Sequence, residues 1–136
     1  MSDSLDVLVK AVIAKWNATP ALVSSAPFFR KEKSTGSESV RTYTIFDDDD
    51  SLLIRMSCEN EHWKHQLVFR VYGPTPESCA AIANQIHSVF GADNLSLNLA
   101  EGSVIKHRTK RIRHRKIDKT VHTNEVTFEF EVSKPR

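Results

Sequence analysis

The last third of the chain constrains its fold most, because a strongly basic run leads into a cleanly alternating segment. Between residues 126 and 133 apolar and polar side chains alternate without exception: Val126, Phe128, Phe130 and Val132 against Thr127, Glu129, Glu131 and Ser133. Period-two alternation is typical of an antiparallel strand with one buried and one solvated face. The basic run is therefore predicted to belong to a hairpin on a sheet and not to a loose tail.

The basic run is the clearest candidate for an interaction site. Residues 106–119 carry a net charge of +7, with Asp118 as their one acid, in a chain whose formal total is +2. The rest of the chain therefore sums to −5. Such a concentration of positive charge indicates contact with a protein partner or with nucleic acid phosphates. The candidate residues are Lys106, Arg108, Lys110, Arg111, Arg113, Arg115 and Lys116.

Strand periodicity puts positive charge on both sides of this run. In a regular strand the cations from Lys106 to Lys110 lie on one side, and those from Arg111 to Arg115 lie on the other. A strand that is charged on both faces cannot rest on an apolar core. We therefore expect a basic hairpin, at about 103–125, that projects from the domain.

The two longest helical patterns are amphipathic. The second follows Thr75, which suits the N-cap position, with Pro76 at the first helical position and Gly91 as the expected left-handed C-terminal residue. Its apolar positions extend from Cys79 to Phe90, and its predicted span is Glu77 to Phe90. The first helix has an apolar stripe formed by Leu5, Leu8, Val9, Val12, Ile13 and Trp16.

Short alternating or β-branched runs predict the remaining strands, and residues 21–27 are read as an apolar connection. The order of elements predicts an α+β fold: an antiparallel β-sheet with two amphipathic helices packed on one face and a long C-terminal β-hairpin. At 136 residues, one domain over 1–136 is expected. The strands expected before the basic run are Phe28–Lys33, Val40–Phe46, Leu52–Cys58, Trp63–Tyr72 and Leu95–Leu99.

Four adjacent acids, Asp47, Asp48, Asp49 and Asp50, are predicted to form a loop between two strands. Their charge complements the basic run, which suggests that this loop on one copy faces the basic hairpin on the next. Such a head-to-tail contact closes into a ring if the rotation between copies allows it. No glycine-punctuated calcium loop is present, so no metal site and no cofactor are expected.

Motifs for catalysis are missing from the sequence. It contains no serine-nucleophile elbow, no phosphate-binding glycine loop and no zinc-protease helix motif. The two cysteines, Cys58 and Cys79, have no zinc spacing and are read as buried thiols. Because these motifs are missing, no enzyme is expected. No apolar run is long enough to span a bilayer, so no membrane partner is expected. A free nucleic-acid-binding module that uses residues 106–119 is the alternative, although this run lacks interleaved aromatic residues for stacking on bases.

The arrangement of the whole chain resembles the tail completion, or tail terminator, proteins of tailed bacteriophages. An opening amphipathic helix, a strand leading into a small-residue helix, and a long C-terminal hairpin occur in the same order. The segments that carry this resemblance are Asn17–Val23, Gln66–Gly73, Glu77–Phe90, Leu95–Leu99 and Val126–Val132.

The resemblance implies a structural role in a virion. Proteins of this family form rings, commonly of six subunits, on the head-proximal end of the tail tube, where they stop tube growth and offer a surface for joining the head. The implied partners are other copies of the chain, the tail tube protein and a head-tail connector or neck protein. Genome DNA passes through the ring, which is assembled in the host cytoplasm. The family has no catalytic residues to carry over.

Overall fold

The computed structural model describes residues 4–25, 28–30, 42–56, 59–93, 95–118 and 121–135. The helices are α1 (Ser4–Asn17), α2 (Pro20–Ser25) and α3 (Pro76–Phe90). The strands are β1 (Phe28–Arg30), β2 (Tyr43–Met56), β3 (Asn60–Gly73), β4 (Ser103–Asp118) and β5 (Val121–Pro135). None of the described helices is long and apolar enough to cross a membrane.

The five strands form one sheet in the order β1-β2-β3-β5-β4. β5 lies in antiparallel register between β3 and β4, and it is paired with β3 from Asn60↔Pro135 to Gly73↔His122. Short β1 is the exception to the antiparallel pattern, because it runs parallel to β2 beside Thr44–Phe46. The predicted α+β fold, with its long C-terminal hairpin, is confirmed.

The core lies between one face of the sheet and the helices, with Phe69 of β3 near its centre. The Phe69 ring lies 5.9 Å from the Trp16 ring of α1 and 4.8 Å from that of Phe46. Its centroid is 5.1 Å from that of Phe90 on α3 and 5.7 Å from that of Phe128 on β5. All five rings are fully buried, so two helices and three strands are joined through one aromatic cluster.

The start of α3 is as the sequence predicts. Thr75 is the N-cap in extended conformation, and its hydroxyl oxygen accepts a hydrogen bond from the Ser78 amide at 3.2 Å. Pro76 is the first helical residue, where a missing N–H costs nothing. The end of the helix differs, because Gly91 is right-handed with φ −95° and its N–H closes the helix onto the His87 carbonyl.

Two local predictions were wrong. Residues 20–25 form the short helix α2 and not a plain connection, and Leu22 of this helix is fully buried in the core. Residues 95–99 form no strand, although Leu95, Leu97 and Leu99 pack against the core. Alternation reports which side chains face the core, whereas a strand also needs a partner for its backbone.

The acidic tract is not a loop. Residues 47–50 lie within β2, where Asp47 is opposite Val68 and Asp50 is opposite Gln66. Asp49 is the extra residue at an irregularity in the register between Asp48 and Asp50. Aspartate disfavours strands, but pairing with the long central strand β3 outweighs that preference here.

Some predictions fall partly outside the described residues. The predicted strand Phe28–Lys33 is described for Phe28–Arg30 only, and Val40 lies outside the described part of the chain. Cys58 also lies outside it, while Cys79 is buried in the core as expected.

A charge inserted under α3 should unfold the protein. Ile86 is fully buried, so Ile86→Asp is expected to lower the free energy of unfolding by several kcal/mol through an unpaired buried carboxylate. Gln85→Asp, at an exposed neighbouring position of the same helix, should shift the thermal midpoint little. Thermal unfolding followed by circular dichroism would measure both, and wild-type stability of Ile86→Asp would contradict the packing of α3.

Candidate interaction surface

The sheet face opposite the helices is polar and strongly charged. The described helices bury their apolar residues in the core on the other side of the sheet. Side chains that are directly paired across antiparallel strands share a face, so the register identifies the residues on this face. We call this surface the open face; its charged residues on the three strands β3, β5 and β4 are Lys64, Arg70, Glu125, Glu129, Glu131, Lys106, Arg108, Arg111, Arg113 and Arg115.

Two β-bulges bring the arginines of β4 onto the open face. The register shifts between Val104 and Lys106, and again between Thr109 and Arg111. The second shift changes the phase, so that Arg108 and Arg111 fall on the same side although they are three residues apart. The expectation that Arg111, Arg113 and Arg115 lie on the side opposite to Lys106 and Arg108 was therefore wrong, because it assumed an unbroken period of two.

The basic run is also not a projecting arm in the part that is described. β4 pairs with β5 from Ser103↔Ser133 to Asp118↔Val121, and β5 pairs in turn with β3 as far as Gly73↔His122. It is the edge strand of the sheet, supported along its length by a central strand. Its charges are tolerated because the open face has no described helix over it.

Glu125 lies at the centre of one row of charges across the open face. Its carboxylate accepts hydrogen bonds from Arg70 Nε at 2.9 Å and from Arg113 Nη2 at 3.0 Å. Arg115 Nη1 lies 4.0 Å from the same carboxylate. Only 10% of the Glu125 side chain is exposed, so two guanidinium groups from opposite neighbouring strands cover it.

Glu129 lies at the centre of a second row. Its carboxylate accepts a hydrogen bond from Arg108 Nε at 3.0 Å, and Lys64 Nζ lies 4.0 Å away on the other side. The glutamate side chain is 7% exposed, whereas that of Arg108 is 58% exposed. The cation is thus held from below while its outer surface faces solvent.

Glu131 repeats the arrangement with weaker partners. His62 Nε2 lies 3.1 Å from Oε1 of this glutamate, and Lys106 Nζ lies 3.9 Å from Oε2. In each row a carboxylate on β5 lies between a basic group on β3 and a cation on β4. Three glutamates on one face of β5 therefore organise most of the positive charge on this face.

The arginine contacts determine the ionisation of the two more deeply covered glutamates. Burial by itself raises the pKa of Glu125, but hydrogen bonds and charge from Arg70 and Arg113 outweigh it, so the pKa lies below its usual value. Burial likewise raises the pKa of Glu129, and Arg108, with the charge of Lys64, brings it below the ordinary range. Both carboxylates are thus ionised at neutral pH.

The predicted basic residues do not all lie together. Lys106, Arg108, Arg111, Arg113 and Arg115 lie on the open face, whereas Lys110 occupies the bulge and Lys116 is on the opposite side by register. Within the described residues Lys110, Arg111 and Lys116 form no ion pair. The cations of β3 and β4 on this face outnumber the three glutamates of β5, so this part of the surface remains positive.

The acidic tract lies towards the opposite edge of the sheet from β4. Asp47 and Asp50 are on the open face of β2, and Asp48 is on the core side by register. Strands β3 and β5 separate this tract from β4, so the acids and the basic run do not meet within one copy. Negative charge therefore lies towards one edge of the open face, on β2, and positive charge lies at the other edge, on β4.

Sequence reasoning missed the carboxylates and the β3 cations of this surface. Glu129 and Glu131 were identified as polar positions of the last strand, but their partners were not, and neither was Glu125 as an anchor. The available signal was a glutamate at alternate positions in a strand that follows a cationic strand. It becomes specific only when β5 is known to lie between β3 and β4.

The surface has the chemistry of charge recognition. Within the described ranges, no three His, Cys, Asp or Glu side chains are grouped so that they could hold a metal ion. What the three rows offer is an array of guanidinium and ammonium groups held at fixed positions. Such an array suits an acidic protein surface or phosphate groups.

Comparison with known proteins gives structural matches alone. No family model matches the sequence, and no curated protein matches it. The fold is similar to a chain from the virion of a native gene transfer agent particle, with a TM-score of 0.74, 21% identity, and coverage of 91% of this chain and 92% of that chain. A second solved structure matches with a TM-score of 0.64 and 13% identity over 96% of both chains. At these identities the matches show the fold.

Removing the carboxylate of Glu125 should make stability less dependent on pH. A lowered folded pKa stabilises the protein above the ordinary glutamate pKa of about 4.3, and this stabilisation is lost as pH falls through the folded value. Glu125→Gln is therefore expected to cost about 1–3 kcal/mol at neutral pH. The difference from wild type should shrink in acid.

Urea unfolding at neutral and acidic pH would measure this change. Glu77→Gln is the control, because it removes an exposed carboxylate from α3 without touching the sheet. An equal effect of the two substitutions at every pH would show that the contacts of Glu125 with Arg70 and Arg113 do not stabilise the fold.

Proposed function

We propose that the protein is a structural virion protein that forms a ring at the head-proximal end of a phage tail tube. The ring ends tube growth and provides the surface to which the head joins, and its role is not enzymatic. Six copies form the ring, as in the tail terminator family that the sequence resembles. The other partners are the tail tube protein and a head-tail connector or neck protein, and genome DNA passes through the lumen.

One observation carries this proposal above the others. The fold matches a virion chain over 91% of its own length and 92% of the other chain, with a TM-score of 0.74. Agreement over both whole chains means that the shared fold is not a common substructure inside unrelated domains. It supports the same class of role that the resemblance to tail terminators suggests.

The distribution of charge supports assembly from several copies. The acidic tract, Asp47–Asp50, and the basic strand β4 lie at opposite sides of one sheet, as a head-to-tail contact between copies requires. Like surfaces repel and unlike surfaces attract, so complementary charge favours this contact over a symmetric one. The acidic tract therefore contacts β4 of the next copy.

The distal arginines of β4 contact a virion partner. Arg111, Arg113 and Arg115 are exposed on the open face towards the end of the strand that lies beside Thr123. We assign them to an acidic surface of the tube or neck. A strongly cationic lumen would retard DNA that must leave freely.

Nucleic-acid binding by the open face is the second candidate. Tyr43 and Tyr72 lie at one end of this face, with their ring centroids 5.1 Å apart, next to Thr123 and Arg115 in the register. Aromatic rings beside arginines are what single-stranded nucleic acid binds. Here the two rings stack on each other, which leaves less of their surface for bases.

Deletion of the gene tests the proposed function directly. Without a terminator, tail tubes should be of irregular and excessive length, and heads should accumulate without tails. Electron microscopy of particles from the producing cells would show both effects, and expression of the chain in trans should restore normal particles. Particles with normal tails and heads in its absence would contradict the proposal.

Neutralising the distal arginines separates protein contact from DNA contact. Replacement of Arg111, Arg113 and Arg115 by Gln is expected to leave the heads and tails unjoined, because the acidic partner loses its cationic surface. The control Lys10→Gln with Lys15→Gln removes two charges from α1 and should join normally. Normal joining with altered DNA retention or ejection would assign the arginines to the lumen instead.

A further inference from the structure

We infer that copies of this chain join by backbone pairing between sheet edges, with β4 of one copy beside residues 50–56 of β2 of the next. This inference rests on the proposed ring and specifies how its subunits meet. It requires two edges that are accessible, directions that are compatible, and side chains that are complementary. The structure provides an observation on each.

The two edges lie at opposite sides of the sheet. β4 is the last strand in the order, so its outer edge has no strand beside it among the described residues. At the other side, β1 pairs only with Thr44–Phe46, and within the described ranges the remainder of β2 has no strand on its outer side. Edge strands of this length offer unpaired N–H and C=O groups to another strand.

The strand directions allow antiparallel pairing between copies in a ring. β2 is antiparallel to β3, β3 to β5 and β5 to β4, so β2 and β4 run in opposite directions. In a ring whose axis follows the strands, β2 points the same way in every copy. The edge strands of neighbouring copies are then antiparallel, which is the more stable pairing.

Exposed apolar side chains lie on both edges. The end of β2 carries four apolar side chains that are 37–55% exposed: Leu52, Leu53, Ile54 and Met56. On β4, Ile105 is 53% exposed, and it lines a groove of about 360 Å³ between residues 95–97 and the start of the strand. A cluster of exposed apolar residues on an edge strand is a sign of a protein contact.

The charges agree with the same alignment. If antiparallel strands place the apolar end of β2 beside Ile105, Asp50 comes to the level of Arg108 and Lys110. Asp50 is exposed, and Lys110 is exposed without an ion pair among the described residues. A second β4 brought to the same edge would instead meet a row of like charges, so the basic strand selects β2 and rejects itself.

Thiol cross-linking tests the edge contact. In a Cys58→Ser background, purified Ile54→Cys and Ile105→Cys chains are mixed at high concentration and treated with a short bismaleimide, whose span tolerates a slip of one or two residues. The mixture should give about tenfold more dimer than either variant alone, because apposed thiols react at a millimolar effective concentration. A chain with both substitutions should give a ladder that ends at the subunit number of the ring.

The control pair is Ile54→Cys with Val23→Cys, since Val23 on α2 is as exposed as Ile105 but lies on the helix side. Equal dimer from the control pair, or no dimer from either, would overturn the edge contact. If native mass spectrometry of the wild-type chain finds a ring while the test pair does not react, the ring is supported and the edge contact is contradicted. A ladder without closure would support the edge contact and contradict the ring.

Discussion

The position of β5 between β3 and β4 is the constraint on which the rest of the structure depends. Its alternate residues face opposite sides of the sheet. Phe128 and Phe130 enter the core beneath the helices, while Glu125 and Glu129 lie under the cations of the open face. One strand therefore specifies both layers, and a slip of one residue would exchange aromatic rings and carboxylates between them.

The charged rows of the open face contribute more to geometry than to stability. Exposed ion pairs stabilise proteins by about 0–1 kcal/mol, and the side chains of the β4 cations are 44–69% exposed. The glutamates are covered, however, and each loses hydration that only its basic partners replace. Arg70, Arg108 and Arg113 are held in position by the hydrogen bonds that they donate to these glutamates. Fixed cations suit a surface that must match a partner.

The bulges in β4 turn an irregular charge sequence into an ordered surface. Lys110 is the extra residue of the second bulge, so Arg108 and Arg111 both lie on the open face. Bulges also increase the local twist of an edge strand and limit indiscriminate pairing. In β2 the irregularity at Asp49 keeps Asp47 and Asp50 on one face in the same way. The acidic tract on β2 and the basic run on β4 thus present opposite charges at the two sides of the open face.

The sequence by itself determined the helices α1 and α3, the cap at Thr75, the strand β5 and the α+β class, because caps and apolar periodicity are local properties. It also identified the basic run as the candidate surface. Only the tertiary structure decided that Asp47–Asp50 lies within a strand, that Leu95–Leu99 does not, and that the arginines share a face with Glu125. These features depend on which strand lies beside which, and on where the register shifts, and neither is encoded in the periodicity of one segment.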